Sequence, residues 1–541
     1  MKHYFSLTLL ATAVLAGCAT TSITPTDVTN GYNSIQADEL VKHVKVLASD
    51  EFGGRAPSSP GEKLTLDYLT AQFKALGLKP GNGDSYLQEV PLVSLEADSN
   101  MVLSIGGKDY QYKKDMVMGS SRISAQEGIE NSELVFVGYG VNAPEYNWND
   151  YEGLDVKGKT VVMLVNDPGF ATKDPALFTG DTMTYYGRWT YKYEEASRQG
   201  AAGAIIIHET APASYPWSVV ENSWSGEQFG FQKENNNMDR VAVEGWVTTD
   251  VAKELFTKAG LDFDTAKENA AKGAYHVDMG DLTASVNVKN TIKKSVSYNF
   301  IATLPGSEQP DEHVIYSAHW DHLGTDKTRK GDQIYNGAHD NATGTAGLIE
   351  VAEAFTKLPK HPRRSMTFLA VTAEEQGLLG SKYYAANPVI AANKTVANIN
   401  MDSLNLLGKV KDMNVVGIGK SQMDEFLATA AKEQGRTISG DPKPSSGGYY
   451  RSDHFAFANM GIPAMYAGGG TVAADEETAN YRKRMSLVLR GCYHQPCDRY
   501  RDEWDLSGAV QDLQLFYKVG FDISEQEQWP TWNANSEFQR K

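Results

Sequence analysis

From residue 296 onward the chain repeats one unit, a short apolar run followed by a stretch with helical spacing. HVIYSAH reads as a strand, NATGTAGLIEVAEAFTKL as a helix, SMTFLAVTA as a strand and GLLGSKYYAANP as a helix. TVANINMDS, MNVVGIG and IPAMYA add three strands, and LSGAVQDLQLFYKVGFDIS adds a closing helix. Parallel strands need a crossover between them, and a helix is the usual one. This alternation therefore implies a mixed α/β fold with a largely parallel sheet flanked by helices on both faces. A sheet of that kind gathers its ligands beyond the carboxyl ends of its strands.

The residues at those ends are of one chemical kind. His319 and Asp321 follow the first strand, and Asp340 opens the next helix in GAHDNATG. Glu374 and Glu375 follow TFLAVTA, Asp402 follows ANINM, and His494 stands near the end in YHQPCD. Two histidines and three carboxylates suit zinc. One carboxylate can bridge two ions about 3.5–4 Å apart. The adjacent glutamates then have a purpose, since one can ligate metal while the other moves a proton to and from the attacking water.

HWDHLG, GAHDNATG, AEEQGLLGS, NMDS, SDHFAFANMGIPA and YHQPCD resemble, in order and spacing, the motifs of the M28 metallopeptidase family, the dizinc aminopeptidases. The resemblance covers 36–113 and 296–528 and implies the zinc exopeptidase fold. It implies two zinc ions, one on His319 and Asp402, the other on Glu375 and His494, with Asp340 between them. It gives Glu374 the role of general base and Asp321 that of orienting His319 through its far nitrogen. SDHFAF matches a motif near the substrate pocket, which places Asp453 and His454 there in a supporting role, with Tyr449 and Tyr450 as pocket wall. His322 and the remaining histidines are read as structural.

Residues 115–295 have a different texture. VKGKTVVML and RQGAAGAIIIHE resemble a protease-associated (PA) domain inserted into the peptidase. The first 18 residues read as a signal peptide, because Lys2 precedes an apolar stretch too short to span a bilayer. Leu15-Ala16-Gly17-Cys18 resembles the lipobox of bacterial lipoproteins, which implies acylation at Cys18, a lipid anchor and a place at the outer membrane, periplasmic or surface-facing. Residues 19–35, rich in Thr, Ser and Asn, read as a tether. In an exported chain the remaining pair, Cys492 and Cys497, invites a disulfide around His494.

A net charge of −17 argues against nucleic acid as a partner. The expected activity is removal of N-terminal residues from peptides. A carboxypeptidase or dipeptidase on the same metal site stays open, and Arg188, Arg240 and Arg451 are candidates to read a carboxylate. A glutaminyl cyclase and a non-catalytic surface receptor are the remoter readings.

Overall fold

The computed structural model describes residues 22–534 and 536–540, so the whole 1–18 leader with Cys18 lies outside the described residues. Two sheets organise the chain. In the first, four parallel strands lie side by side in the spatial order Arg364–Val371, Gln309–His319, Thr395–Asn400 and Ala464–Gly469. Antiparallel strands extend it: Val277–Leu304, Leu87–Ala97 and Glu227–Phe231 on one side, Asp412–Val415 on the other. Arg364–Val371 and Thr395–Asn400 are buried along their whole length, and Gln309–His319 from Val314 onward, as parallel strands covered on both faces must be.

One face carries Ala37–Leu47, Pro60–Ala75, Thr343–Thr356 and Ser507–Glu525. The last of these buries Leu513, Phe516, Tyr517, Val519 and Ile523 against the sheet. Each such side chain contributes about 1.5–3 kcal/mol. The other face is closed by Leu379–Ala386 and His454–Asn459 through Tyr384 and Phe457. The chain thus has the mixed α/β architecture expected from its alternation.

The second sheet has its own core, built around Leu134, Val162, Ile205, Val243 and Phe256. Gly203–His208 lies between Thr160–Leu164 and Val243–Thr248, parallel to both. The domain borders expected from sequence shift here. Val102–Ile105 and Lys108–Gln111 pair with each other, and the former with 284–285, so they belong to the second sheet and not to the 36–113 segment. At the other end Val277–Leu304 is one unbroken strand that serves both sheets, pairing with Gln126–Phe136 up to 289 and with Leu87–Ala97 from 290. Residues 289–296, where it crosses from one sheet to the other, include no buried side chain, and no glycine or proline in that stretch marks the crossing at the sequence level.

The tether is also shorter than expected. Pro25–Ser34 is an α-helix, started by Thr24, whose hydroxyl accepts from Asp27 N while the Asp27 carboxylate takes Thr24 N. It packs on the first domain, with Gly31 against Tyr517. Its Thr- and Asn-rich composition hid this capping box.

Candidate metal centre

Each candidate side chain leaves the sheet at the carboxyl end of a parallel strand or from a loop beside it. His319 is the last residue of Gln309–His319. Glu374 and Glu375 follow Arg364–Val371, and Asp402 follows Thr395–Asn400. Asp340 lies in the turn before Thr343–Thr356, and His494 in the loop after Glu476–Cys492. Three non-glycine residues here hold positive φ: Ala373 before the glutamates, Ser403 after Asp402, and His494 itself. Such residues cost about 1–3 kcal/mol each and persist where the surroundings fix them.

The structure brings His319, Asp340, Asp402, Glu375 and His494 together. The two oxygens of Asp340 face two different imidazoles: Oδ1 lies 3.3 Å from His319 Nε2, and Oδ2 lies 3.2 Å from His494 Nε2. His319 Nε2 is also 3.5 Å from Asp402 Oδ1, and His494 Nε2 is 3.0 Å from Glu375 Oε2. His494 Nε2 is buried yet makes no hydrogen bond of good geometry. Two ligands held 2.0–2.1 Å from one tetrahedral zinc stand roughly 3.3 Å apart. The spacings around Asp340 therefore fit shared coordination better than direct hydrogen bonds. Glu374 joins His319 and Asp402 in one compact group, and His322 joins Asp340 and Glu375 in another.

Charge argues the same way. Asp321, Asp340, Glu374, Glu375, Asp402 and Asp453 gather around three imidazoles; Asp321, Asp340 and Asp453 are buried and the other three half-buried. Buried carboxylates in such surplus need cations. Burial, with Asp402, Asp453 and Glu375 beside it, pushes the Glu374 carboxyl well above its ordinary range. Burial would raise Glu375 as well, but His322 and His494 outweigh it and hold it low. For His494 burial acts downward, and Asp340 and Glu375 overcome it, raising the imidazole to about 10. Without a metal, protons take the place of the missing cations. The donor set suits a divalent ion of zinc's kind.

Asp321 holds the site differently from expectation. Its carboxylate accepts the backbone N–H groups of Glu374 (3.1 Å) and Glu375 (3.4 Å). The His319 Nδ1 contact is to the Asp321 carbonyl at 3.2 Å, while the nearer carboxylate oxygen is 3.9 Å away. A carbonyl only accepts, so Nδ1 carries the proton and Nε2 is left to face the carboxylates. One residue thus orients His319 through its main chain and the glutamate pair through its side chain.

Four contributors escape a sequence reading. His322 Nδ1 is 2.5 Å from Glu375 Oε1, which turns Oε2 toward His494. Asn341 ties two ligand loops together, accepting from Ser403 N and donating to Met401 O. The Asp498 carboxylate accepts from His339 N and Asp340 N. As expected from the sequence, Cys492 and Cys497 are joined by a disulfide, so the loop that carries His494 is closed and leads straight into Asp498. Arg55, 1% exposed, donates to the carbonyls of Trp320 (2.9 Å), Leu47 (2.8 Å), Asn336 (2.6 Å) and Gly337 (2.8 Å). Asp498 and the HxDH spacing in HWDH were available as motif residues; Arg55, more than 260 residues from Trp320, offered no local signal.

The pocket candidates divide. Asp453 accepts from Ser381 Oγ at 2.6 Å and belongs to the charged cluster, since its carboxylate helps raise Glu374. His454 is fully buried between the rings of Tyr449 and Tyr466, with neither nitrogen partnered, so it is a packing residue. Burial drives it down to about 3. Tyr450 donates to Glu537 at 2.9 Å and Tyr449 stacks on Phe538, so both face the C-terminal segment.

A buried, acid-rich cluster of imidazoles at the carboxyl end of a parallel sheet defines a metal-dependent α/β enzyme. Residues 299–517 match the family model described as Peptidase family M28. It is similar to an aminopeptidase of Pseudomonas aeruginosa, 24% identical over 490 residues, covering 86% of this chain and 76% of that protein. Leupeptin-inactivating enzyme 1 of Streptomyces exfoliatus is 25% identical over 244 residues, covering 44% of this chain and half of that protein. The fold is similar to that of the aminopeptidase from Aneurinibacillus sp. strain AM-1, with a TM-score of 0.51, 19% identity, and coverage of 95% of this chain and all of that one.

Proposed function

We propose that the chain is a dizinc aminopeptidase that removes single residues from the N-termini of peptides. The observation that carries this reading is Asp340, whose two oxygens face Nε2 of His319 and of His494. His319 and Asp402 would hold one ion, Glu375 and His494 the other, with Asp340 shared. When bound, zinc supplies Lewis acidity toward the scissile carbonyl and lowers the pKa of water.

The chain's residues do the rest. Glu374 takes the proton of the attacking water as its oxygen bonds to the scissile carbon, and passes that proton to the leaving nitrogen as the C–N bond breaks. Asp321 fixes the Glu374 main chain, and Ser452 fixes Asp402 by donating to Oδ2 at 2.7 Å. Six carboxylates carry one negative charge more than two divalent ions and Arg55 would offset. That surplus favours a protonated α-amine at the reacting end of the substrate over a carboxylate.

The second sheet's domain is read as a PA-type insertion that walls one side of the site. Its turn at Met183–Arg188 reaches the first domain, where Met183 N donates to Pro444 O and Tyr185 packs against Tyr450 and Phe455. Export with a lipid anchor at Cys18 is the reading given to the leader, and the Cys492–Cys497 bond accords with an oxidising compartment. The mechanism is tested by Glu374→Gln. That protein should keep its zinc content and lose roughly 10²–10⁴-fold in kcat; normal turnover would remove Glu374 from the mechanism.

A further inference from the structure

Tyr449 and Tyr450 lie on a single short turn, Gly448–Tyr450, yet both side chains are buried. They pack with Leu378, Phe455, Trp532 and Phe538 in a small apolar cluster apart from the main cores. A buried phenol needs a partner for its hydroxyl. The Tyr450 hydroxyl donates to Glu537 Oε1 at 2.9 Å, 87 residues away in sequence. Lys420 holds Glu537 in turn, its Nζ lying 2.7 Å and 2.8 Å from the two carboxylate oxygens. The same ammonium stands 5.0 Å from the centre of the Tyr449 ring and 5.7 Å from that of Phe538. The segment is pinned on both sides of Glu537: Trp532 Nε1 donates to Gly461 O at 2.9 Å, and Arg540 Nη1 donates to Thr395 O at 3.0 Å. Glu537 is therefore a fixed acceptor.

The other side of this loop touches the candidate metal centre directly. Two residues after Tyr450, the Ser452 hydroxyl donates to Asp402 Oδ2 at 2.7 Å and accepts from Asn400 Nδ2 at 2.8 Å. Asp402 Oδ1 is the oxygen that faces His319. Asp453 follows and accepts from Ser381 Oγ at 2.6 Å, in the helix that begins after Leu378. Leu378 N donates to the Glu374 carbonyl at 2.8 Å. The route to Asp402 is thus one contact long, while the route to Glu374 passes through three residues. Asp321 also fixes Glu374 and Glu375 from elsewhere. A hydrogen bond of 2.7 Å does not survive a shift of about 1 Å, so the place of Tyr450 decides whether Ser452 can hold Asp402.

We propose that Glu537 is a positioning residue for the metal centre: it fixes the Tyr450 hydroxyl, and with it the loop 449–453, where Ser452 holds Asp402. This rests on the dizinc reading of the site. The consequence is directional. Asp402 belongs with His319, so the ion on that pair should feel the loss of Glu537, and the ion on Glu375 and His494 should not. Removing the acceptor leaves a buried hydroxyl that must either stay unpaired or turn toward water, and turning draws Tyr450 out of its cluster.

The test is a competition titration of zinc against a chromophoric chelator. It uses the parent protein, Glu537→Ala, Glu537→Gln, Tyr450→Phe, and the double variant of Glu537→Ala with Tyr450→Phe, each shown folded by near-ultraviolet circular dichroism. The parent should bind two ions. In Glu537→Ala one of the two should bind about tenfold weaker, the low end of what support behind a ligand contributes, with the other unchanged. Glu537→Gln keeps an acceptor for the hydroxyl and should stay within about threefold of the parent, since a neutral acceptor is weaker but present. Tyr450→Phe should weaken the same ion, and the double variant should be no weaker than either single one, because both changes remove one contact. Should Glu537→Ala fail to fold, Tyr450→Phe against Glu537→Gln carries the same comparison. Equal zinc affinities in the parent and the alanine variant, or losses that add in the double variant, would overturn the proposal and leave the dizinc reading standing. Glutamine and alanine failing alike would also overturn it, by moving the effect to the Lys420 ion pair. A parent that binds fewer than two ions would instead overturn the dizinc reading, and the proposal with it.

Discussion

Replacing Arg55 by methionine should loosen the site without touching a metal ligand. The Arg55 guanidinium makes four charge-assisted hydrogen bonds, to Trp320, Leu47, Asn336 and Gly337. Trp320 follows the ligand His319, and Gly337 begins the loop that carries Asp340. Asp498, Asp321, Asp340 and Glu375 also lie within its field. Each such bond contributes about 1.5–3 kcal/mol, and removal of one partner from a buried ionic network costs about 3–5 kcal/mol. Methionine refills part of the volume, so the expected loss is about 4 kcal/mol, set mainly by the abandoned carbonyls. Chemical denaturation in the presence of a chelator measures it without the masking effect of bound metal. Zinc affinity should fall about 10–100-fold, the usual consequence of losing support behind the ligands. Arg55→Lys should lie between the two, since an ammonium has three donors and no fork. A methionine variant within 1 kcal/mol of the parent, with unchanged zinc affinity, would refute the claim that Arg55 organises the centre.

Serine at both Cys492 and Cys497 opens the loop that holds His494 and Asp498; zinc affinity should drop about tenfold or more in a competition titration, with secondary structure kept by circular dichroism. Metal-free protein should lose stability as pH rises. His494, raised to about 10, stabilises the fold fully below 6.5 and less and less up to 10, and Asp321, raised to about 7, acts in the same direction from 3.8 upward. Melting curves in chelator across pH 5 to 9 check this, and zinc affinity should rise over the same range because protons and metal compete. Gly337→Ala should cost about 1–3 kcal/mol in thermal unfolding and displace His322 from Glu375, because Gly337 has φ +55° and an added Cβ would lie 2.5 Å from His322 Cγ.

The parallel sheet was legible because its strands are continuous apolar runs, as in SMTFLAVT, and its ligands fall where the strands end. His319, Asp340, Glu375, Asp402 and His494 were legible as a set for the same reason. What stayed hidden is contact between distant segments. Arg55 acts on Trp320 across the whole second domain, and nothing near residue 55 announces it. Asp321 was assigned a carboxylate contact to His319, but the main-chain oxygen lies closer, a choice that depends on the local turn. The strand Val277–Leu304 passes between sheets with no glycine or proline at the crossing, so a border drawn from composition falls several residues away from it. Tyr450 also donates to Glu537 and Tyr449 stacks on Phe538, contacts with the C-terminal segment that no local motif announces.

The central claim is that this cluster holds two zinc ions and acts on free N-termini. Protein beginning after Cys18 would be loaded with zinc, its metal counted, and mixed with short peptides in free, N-acetylated and C-amidated forms, with products read by mass. The account predicts two zinc ions per chain and loss of single N-terminal residues from free and amidated peptides, with acetylated ones untouched. One ion per chain, or cleavage of acetylated peptides, would contradict it.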